Sequence, residues 1–189
     1  MNLPNKLTLL RVFMIPAFVL FALCHFWNAN ILISLAIFAA ASFTDLLDGK
    51  IARSRGLITD FGKFLDPLAD KALVMAALLV FVDLGWVSSV PVMIILFREF
   101  MVSALRLVVK SGDGVVIAAG WLGKVKTAFT MVEICVTLAL HGFMALGLSI
   151  PTGFVYAVDT VLVWVAAVLT AVSGWQYLWS YRKVIDWKK

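Results

Sequence analysis

Long apolar runs alternate with short polar breaks along this chain, and the breaks mark where helices should end. After an opening MNLPNKLTLL, apolar sequence runs to about Phe26, breaks at Trp27, Asn28, Ala29 and Asn30, resumes at Ile31 and holds to Thr44. A third run, Ala72 to Val82, ends at Asp83, Leu84 and Gly85, and a fourth starts near Trp86 and turns basic at Arg98 and Arg106. A connection with Gly112, Gly114, Gly120 and Gly123 leads into a fifth run from Lys124 to about Leu146, and a sixth covers Thr152 to Tyr181. A helix needs roughly 20 apolar residues to cross about 30 Å of hydrocarbon. The pattern therefore predicts an all-α polytopic membrane protein with six transmembrane helices, in one membrane-embedded domain over residues 1–189. In the opening segment Asn2, Asn5, Lys6 and Thr8 interrupt Leu3, Leu7, Leu9 and Leu10, which predicts a short amphipathic helix lying at the interface. Pro16 falls inside the first span, where a membrane helix tolerates a kink.

The second run is short for a span, so its helix must continue through Asp45 and Asp48 to about Arg53. The third helix is its mirror, opening with Asp60, Lys63, Asp66, Asp70 and Lys71 before turning apolar. The two form an antiparallel pair whose charged ends meet at one face.

Composition sharpens the class. With 63% hydrophobic and 14% charged residues and a mean hydropathy of +1.02, a soluble domain is excluded. Cys24 and Cys135 have neither metal-type nor redox spacing and read as packing residues. Lys6 and Arg11 ahead of an apolar run look like a signal peptide, but no small-x-small site follows, so the first span reads as uncleaved. Six spans traced from one side put all 16 basic residues at one face, leaving Asp83, Asp159, His25 and His141 to the other. The positive-inside rule then makes both termini and the acidic stretch cytoplasmic in a multi-pass protein of the cell membrane. Trp175, Tyr177, Trp179 and Tyr181 read as an interfacial belt, and Glu133 as an intramembrane acid that is hydrogen-bonded or protonated. The glycines between 112 and 123 form no phosphate-binding loop.

Chemistry concentrates in DLLDGKIARSRGLITDFGKFLDPLAD, residues 45 to 70. On helices, Asp45 with Asp48 and Asp66 with Asp70 each share one face about a turn apart. Four carboxylates so close repel unless cations neutralise them. Hard oxygen donors without His or Cys point to Mg, Mn or Ca, and four of them suit two ions better than one. An ion pathway of a transporter is the competing reading; the acids, however, cluster at one face, and no internal repeat pairs with them. A charged site at headgroup depth suits a lipid phosphate reacting with a water-soluble partner, with divalent ions offsetting the charge on the leaving group. Arg98, Arg106, Lys124 and Lys126 are candidates to hold an anionic second substrate, or are snorkelling residues of the cytoplasmic face.

Asp45, Asp48, Gly49, Ala52, Arg53, Gly62, Asp66 and Asp70 resemble, at every fixed position and spacing, the signature DxxDGxxAR, eight residues, GxxxDxxxD of the CDP-alcohol phosphatidyltransferases. Within that family NLPNKLTLLR, REFMVSALR (98 to 106) and GKVKT (123 to 127) resemble the bacterial phosphatidylglycerophosphate synthases. The resemblance implies that glycerol 3-phosphate attacks the β-phosphoryl group of CDP-diacylglycerol, releasing CMP. Inositol phosphate, serine or phosphatidylglycerol are the other acceptors within the family. It further implies two Mg or Mn ions on Asp45, Asp48, Asp66 and Asp70, with Asp70 similar to the family's proposed general base. On physical grounds alone Asp66 and Asp70 stay equivalent for that part. Asn5, Thr8 and Arg11 resemble a nucleotide-contacting segment, and Asp48, Gly49, Ala52, Arg53 and Gly62 complete the implied CDP-diacylglycerol site. The small residues there let the nucleotide approach the backbone, and Arg53 is placed to pair with phosphate or with an aspartate. The expected partners are these two substrates, membrane lipid and a second copy in a homodimer; no nucleic acid is expected.

Overall fold

A computed structural model describes residues 3–24, 26–55, 60–111 and 120–182. Every regular element among them is helical: α1 Leu3–Leu23, α2 Asn30–Arg55, α3 Asp60–Asp83, α4 Ser89–Ser111, α5 Trp121–Ala145 and α6 Thr152–Tyr181. The boundaries fall within a few residues of the polar breaks. As anticipated, α2 runs past its apolar stretch through the aspartates, and α3 opens on its polar half. Asn5–Leu23, Trp121–Ala145 and Thr152–Ser180 are long and apolar enough to cross a membrane, and Asn30–Asp45 is a shorter apolar stretch.

Burial is inverted relative to a water-soluble fold. Phe13, Phe97, Phe100, Trp121 and Trp175 are exposed, whereas Arg11, Glu133, Thr137 and Asp159 are buried. A lipid solvent selects this distribution, because polar side chains must find partners inside the protein.

Three expectations change here. The opening segment is not a separate interfacial helix: α1 is continuous from Leu3, and the polar side of that segment faces inward. Asn5, Thr8 and Arg11 are buried, while Leu10 and Phe13 point outward. Spaced three apart, these polar residues follow one helix face, and it is packed rather than wetted. Tyr177 is not part of an exposed aromatic belt: it is buried, whereas Trp175 and Trp179 are exposed, and the side chain of Tyr181 lies outside the described residues. Asp159, assigned to the outer face near loops, is also buried.

Contacts divide the chain into two compact units. Unit 1 comprises Met1–Trp86 with Ile134–Val155. In it α1 packs on α2 and α3, and α2 touches α3, with the Phe18 and Phe38 rings 6.0 Å apart. α3 ends in a Schellman turn: Gly85 adopts φ +70°, its N–H donates to the Val82 carbonyl, and Trp86 N–H donates to the Phe81 carbonyl. The Phe81 and Trp86 rings, 5.5 Å apart, supply the hydrophobic contact that accompanies such a cap. α5 ends the same way, with Gly147 at φ +95° and Leu148 N–H donating to the Phe143 carbonyl. The His141 ring stacks on Trp86 at 3.7 Å.

Unit 2 comprises Val87–Glu133 with Tyr156–Lys189. Val102 and Tyr177 form its small apolar centre, with Met101 and Leu105 against them.

Candidate active site

In unit 1 the helical backbone of α2 carries Asp45 and Asp48, and that of α3 carries Asp66 and Asp70. At three- and four-residue spacing the members of each pair therefore lie on one face. The side chains of Asp48, Gly49, Ala52, Arg53, Gly62 and Asp66 lie outside the described residues, as does His25. Asp45 and Asp70 are described, and both are half-buried.

α1 supplies what the acids of α2 pack against. The Asn5, Thr8 and Arg11 face is buried, and Arg11, at its inner end, is fully enclosed. Arg11 Nη1 lies 2.7 Å from Asp45 Oδ1, and Arg11 Nε donates to the Ala41 carbonyl at 3.3 Å. By donor geometry the Asp45 contact is an electrostatic pair and not an aligned hydrogen bond. Thr44, one residue before Asp45, turns its hydroxyl back onto the same Ala41 carbonyl at 2.7 Å. Asp45 is thus held from one side by a cation, with about a third of its side chain (35%) still accessible. The donor set consists of hard carboxylate oxygens, which fits Mg or Mn and does not fit a soft-ligand metal. Among the described residues no group of three or more metal-ligating side chains is assembled.

In unit 2 Arg98 and Lys126 are not loose surface charges, whereas Arg106 and Lys124 are exposed. Lys126 is buried, and its Nζ donates to Glu99 Oε1. Arg98 Nη1 donates to the same oxygen at 3.1 Å. Arg106 Nε donates to the Tyr177 hydroxyl at 3.1 Å, and its guanidinium carbon stands 5.3 Å from the Tyr177 ring centroid. Lys124 is exposed. The snorkelling reading therefore does not describe Arg98 or Lys126, since a snorkelling head reaches water. Glu99 and Tyr177 are the residues that sequence reasoning missed. The signal for Glu99 was present: an acid directly after Arg98 in an apolar helix needs a buried partner. Glu133, 0% exposed, has no hydrogen-bond partner for either carboxylate oxygen among the described residues, so of the two states expected for it, hydrogen-bonded or protonated, the first is not met there.

A half-charged α2–α3 pair beneath an inward-facing polar stripe, in a fold with a lipid-facing exterior, defines a membrane enzyme class. Residues 1–174 match the CDP-alcohol phosphatidyltransferase family, and the chain belongs to it. The ion-coupled transporter falls away with that match. The chain is 42% identical over 187 residues to the CDP-diacylglycerol–glycerol-3-phosphate 3-phosphatidyltransferase of Bacillus subtilis (strain 168), covering 93% of each protein. It is 39% identical over 185 residues to the protein of the same name from Sodalis glossinidius (strain morsitans), covering 96% of each. A probable phosphatidylglycerophosphate synthase of Mycobacterium tuberculosis (strain ATCC 25618 / H37Rv) is 40% identical over 181 residues, covering 94% of this chain and 80% of that one.

Proposed function

We propose that this membrane enzyme transfers the phosphatidyl group of CDP-diacylglycerol to glycerol 3-phosphate, giving phosphatidylglycerol phosphate and CMP. The observation that carries the reading is near-full-length identity of 42% to a protein named for that reaction. The intact aspartate signature from Asp45 to Asp70 stands with it.

In this reading Asp45, Asp48, Asp66 and Asp70 hold two Mg or Mn ions, which supply charge neutralisation for the pyrophosphate and the departing CMP. Arg11 fixes Asp45 from behind, so that this carboxylate presents its open side to the ligand. Asn5 and Thr8 line the CDP-diacylglycerol site with Arg11, as do Gly49, Ala52, Arg53 and Gly62. Asp70 accepts the proton of the attacking glycerol hydroxyl. The new bond joins that oxygen to the β-phosphorus, and the bond to the CMP oxygen breaks. Arg98, Arg106, Lys124 and Lys126 hold the acceptor's phosphate. Two enclosed cations, Arg98 and Lys126, against the one carboxylate of Glu99 favour an acceptor that bears a phosphate over serine, which carries no net charge.

The proposal extends to a single 1–189 domain, a homodimer, six spans and cytoplasmic termini. α3 has 24 residues and α4 has 23; at about 1.5 Å per residue each exceeds roughly 30 Å of hydrocarbon. The distribution of all 16 basic residues supports the orientation.

The test is CMP release by purified protein in mixed micelles of CDP-diacylglycerol, with Mg or Mn, against a panel of glycerol 3-phosphate, inositol phosphate, serine and phosphatidylglycerol. Release is expected with glycerol 3-phosphate and abolished by EDTA. Release with a different acceptor alone corrects the substrate, and no release with any acceptor overturns the reading.

A further inference from the structure

Unit 2 places one carboxylate where two cations converge. Glu99 Oε1 accepts from both Arg98 Nη1 and Lys126 Nζ, and all three side chains are at most 16% exposed. A guanidinium carries five N–H donors and an ammonium three, so each cation keeps most of its donors after binding Glu99. Without the carboxylate, two enclosed cations would face one another, and like charges at that separation push apart. Glu99 therefore fixes both heads around a single point.

α6 completes the seat. A Cβ at Gly174 would lie 2.8 Å from Arg98 Cγ and 3.4 Å from Arg98 Nε, so the Arg98 stem rests directly on the α6 backbone. One turn on, the buried Tyr177 receives Arg106 Nε. Gly174 and Tyr177 share one face of α6. Through that face α6 sets the positions of two α4 arginines without contributing a charge of its own.

We infer that Glu99, seated with Gly174, is a positioning residue for the acceptor phosphate, acting through Lys126 and Arg98. This rests on the proposal that those two cations hold that phosphate. Glu99 touches no substrate; its removal acts on the affinity for the acceptor and not on the lipid nucleotide.

The experiment is steady-state kinetics with both substrates varied, on Glu99→Gln, Lys126→Gln and the double variant in mixed micelles. Glu99→Gln raises KM for glycerol 3-phosphate about tenfold or more and leaves KM for CDP-diacylglycerol within about twofold. Because Glu99 works partly through Lys126 and partly through Arg98, the effects in the double variant are less than multiplicative. If Lys126→Gln and Arg98→Gln both leave the acceptor KM unchanged, the phosphate assignment itself is wrong. If Lys126→Gln raises it and Glu99→Gln does not, or lowers it, the phosphate site stands and the positioning role is overturned. Multiplicative effects in the double variant overturn it as well. Should Glu99→Gln fail to fold, Glu99→Asp carries the test, since it keeps the charge but withdraws it by one methylene. An acceptor KM raised about threefold supports the role, and an unchanged KM overturns it.

Discussion

In unit 1 a fully buried cation, Arg11, stands against a carboxylate of the aspartate signature; in unit 2 a carboxylate, Glu99, stands between two cations. The charge balance differs. Around Glu99 the described charges are two cations to one carboxylate; Arg11 meets Asp45 one to one. Burial also differs. Arg11 has no accessible surface, while its partner Asp45 keeps 35%; in unit 2 all three members are largely enclosed. In each unit one enclosed charge thus fixes the position of the opposite charge beside it.

The largest effects should come from breaking the acidic side. Asp48→Asn, Asp66→Asn and Asp70→Asn are each expected to lower CMP release at least about a hundredfold, beyond what loss of an outer-shell partner costs a metal site, with little change in melting temperature. Asp45→Asn should lose activity equally and stability as well. It removes the carboxylate that faces the buried Arg11 guanidinium, and breaking an ion pair with an enclosed member lowers stability. Melting of the four variants side by side checks this, and a common melting temperature would remove Arg11 from the account. Adding Arg11→Met to Asp45→Asn should restore much of the stability and none of the activity.

Arg11→Met alone tests the same pair from the other end, and its cost should be smaller. Water reaches Asp45, so the abandoned carboxylate is solvated and the loss is about 1–2 kcal/mol. Activity should still fall about tenfold, because Asp45 loses the contact that orients it.

Two glycines sharpen the comparison without touching a charge. In unit 1 a Cβ at Gly142 would lie 2.4 Å from Leu32 Cδ2 and 3.3 Å from the Leu32 backbone nitrogen. In unit 2 the equivalent atom at Gly174 meets the Arg98 stem. Gly142→Ala should therefore cost about 1–3 kcal/mol of stability through overpacking and leave both KM values unchanged. Gly174→Ala should cost stability too, since the closest atom is Arg98 Cγ at 2.8 Å, but unlike Gly142→Ala it should also raise the acceptor KM about threefold, because displacing the stem moves the Arg98 head. An unchanged acceptor KM would mean that Arg98 is only a packing element.

Sequence made the acidic half of this comparison legible and left the basic half obscure. Asp45, Asp48, Asp66 and Asp70 declare themselves because their spacing matches a helix and their charge is out of place in apolar sequence. The helices themselves were readable from the polar breaks, since lipid leaves so few ways to end a span. Tyr177 was hidden because its partner Arg106 is 71 residues away; Glu99 carried a local signal beside Arg98, but its second partner, Lys126, lies 27 residues off. The inward turn of Asn5, Thr8 and Arg11 was misread for a related reason. An amphipathic stripe shows that two faces differ, not which solvent each one meets, and in lipid the polar face goes inside.

The smallest effect belongs to the helix caps. An added Cβ at Gly85 or Gly147 meets nothing within 4 Å, so any penalty there is purely one of backbone conformation. At φ +70° and +95° a side chain costs about 1 kcal/mol relative to glycine. Gly85→Ala should thus lower stability by about that amount, well below the packing cost at Gly142 in the same unit. Gly85→Asn should recover part of it, because asparagine tolerates the left-handed region. Chemical or thermal denaturation of the two variants separates conformation from contact. If Gly85→Asn were as unstable as Gly85→Ala, the loss would lie in the Phe81 and Trp86 ring contact that the turn brings together, and the cap would matter for what it packs.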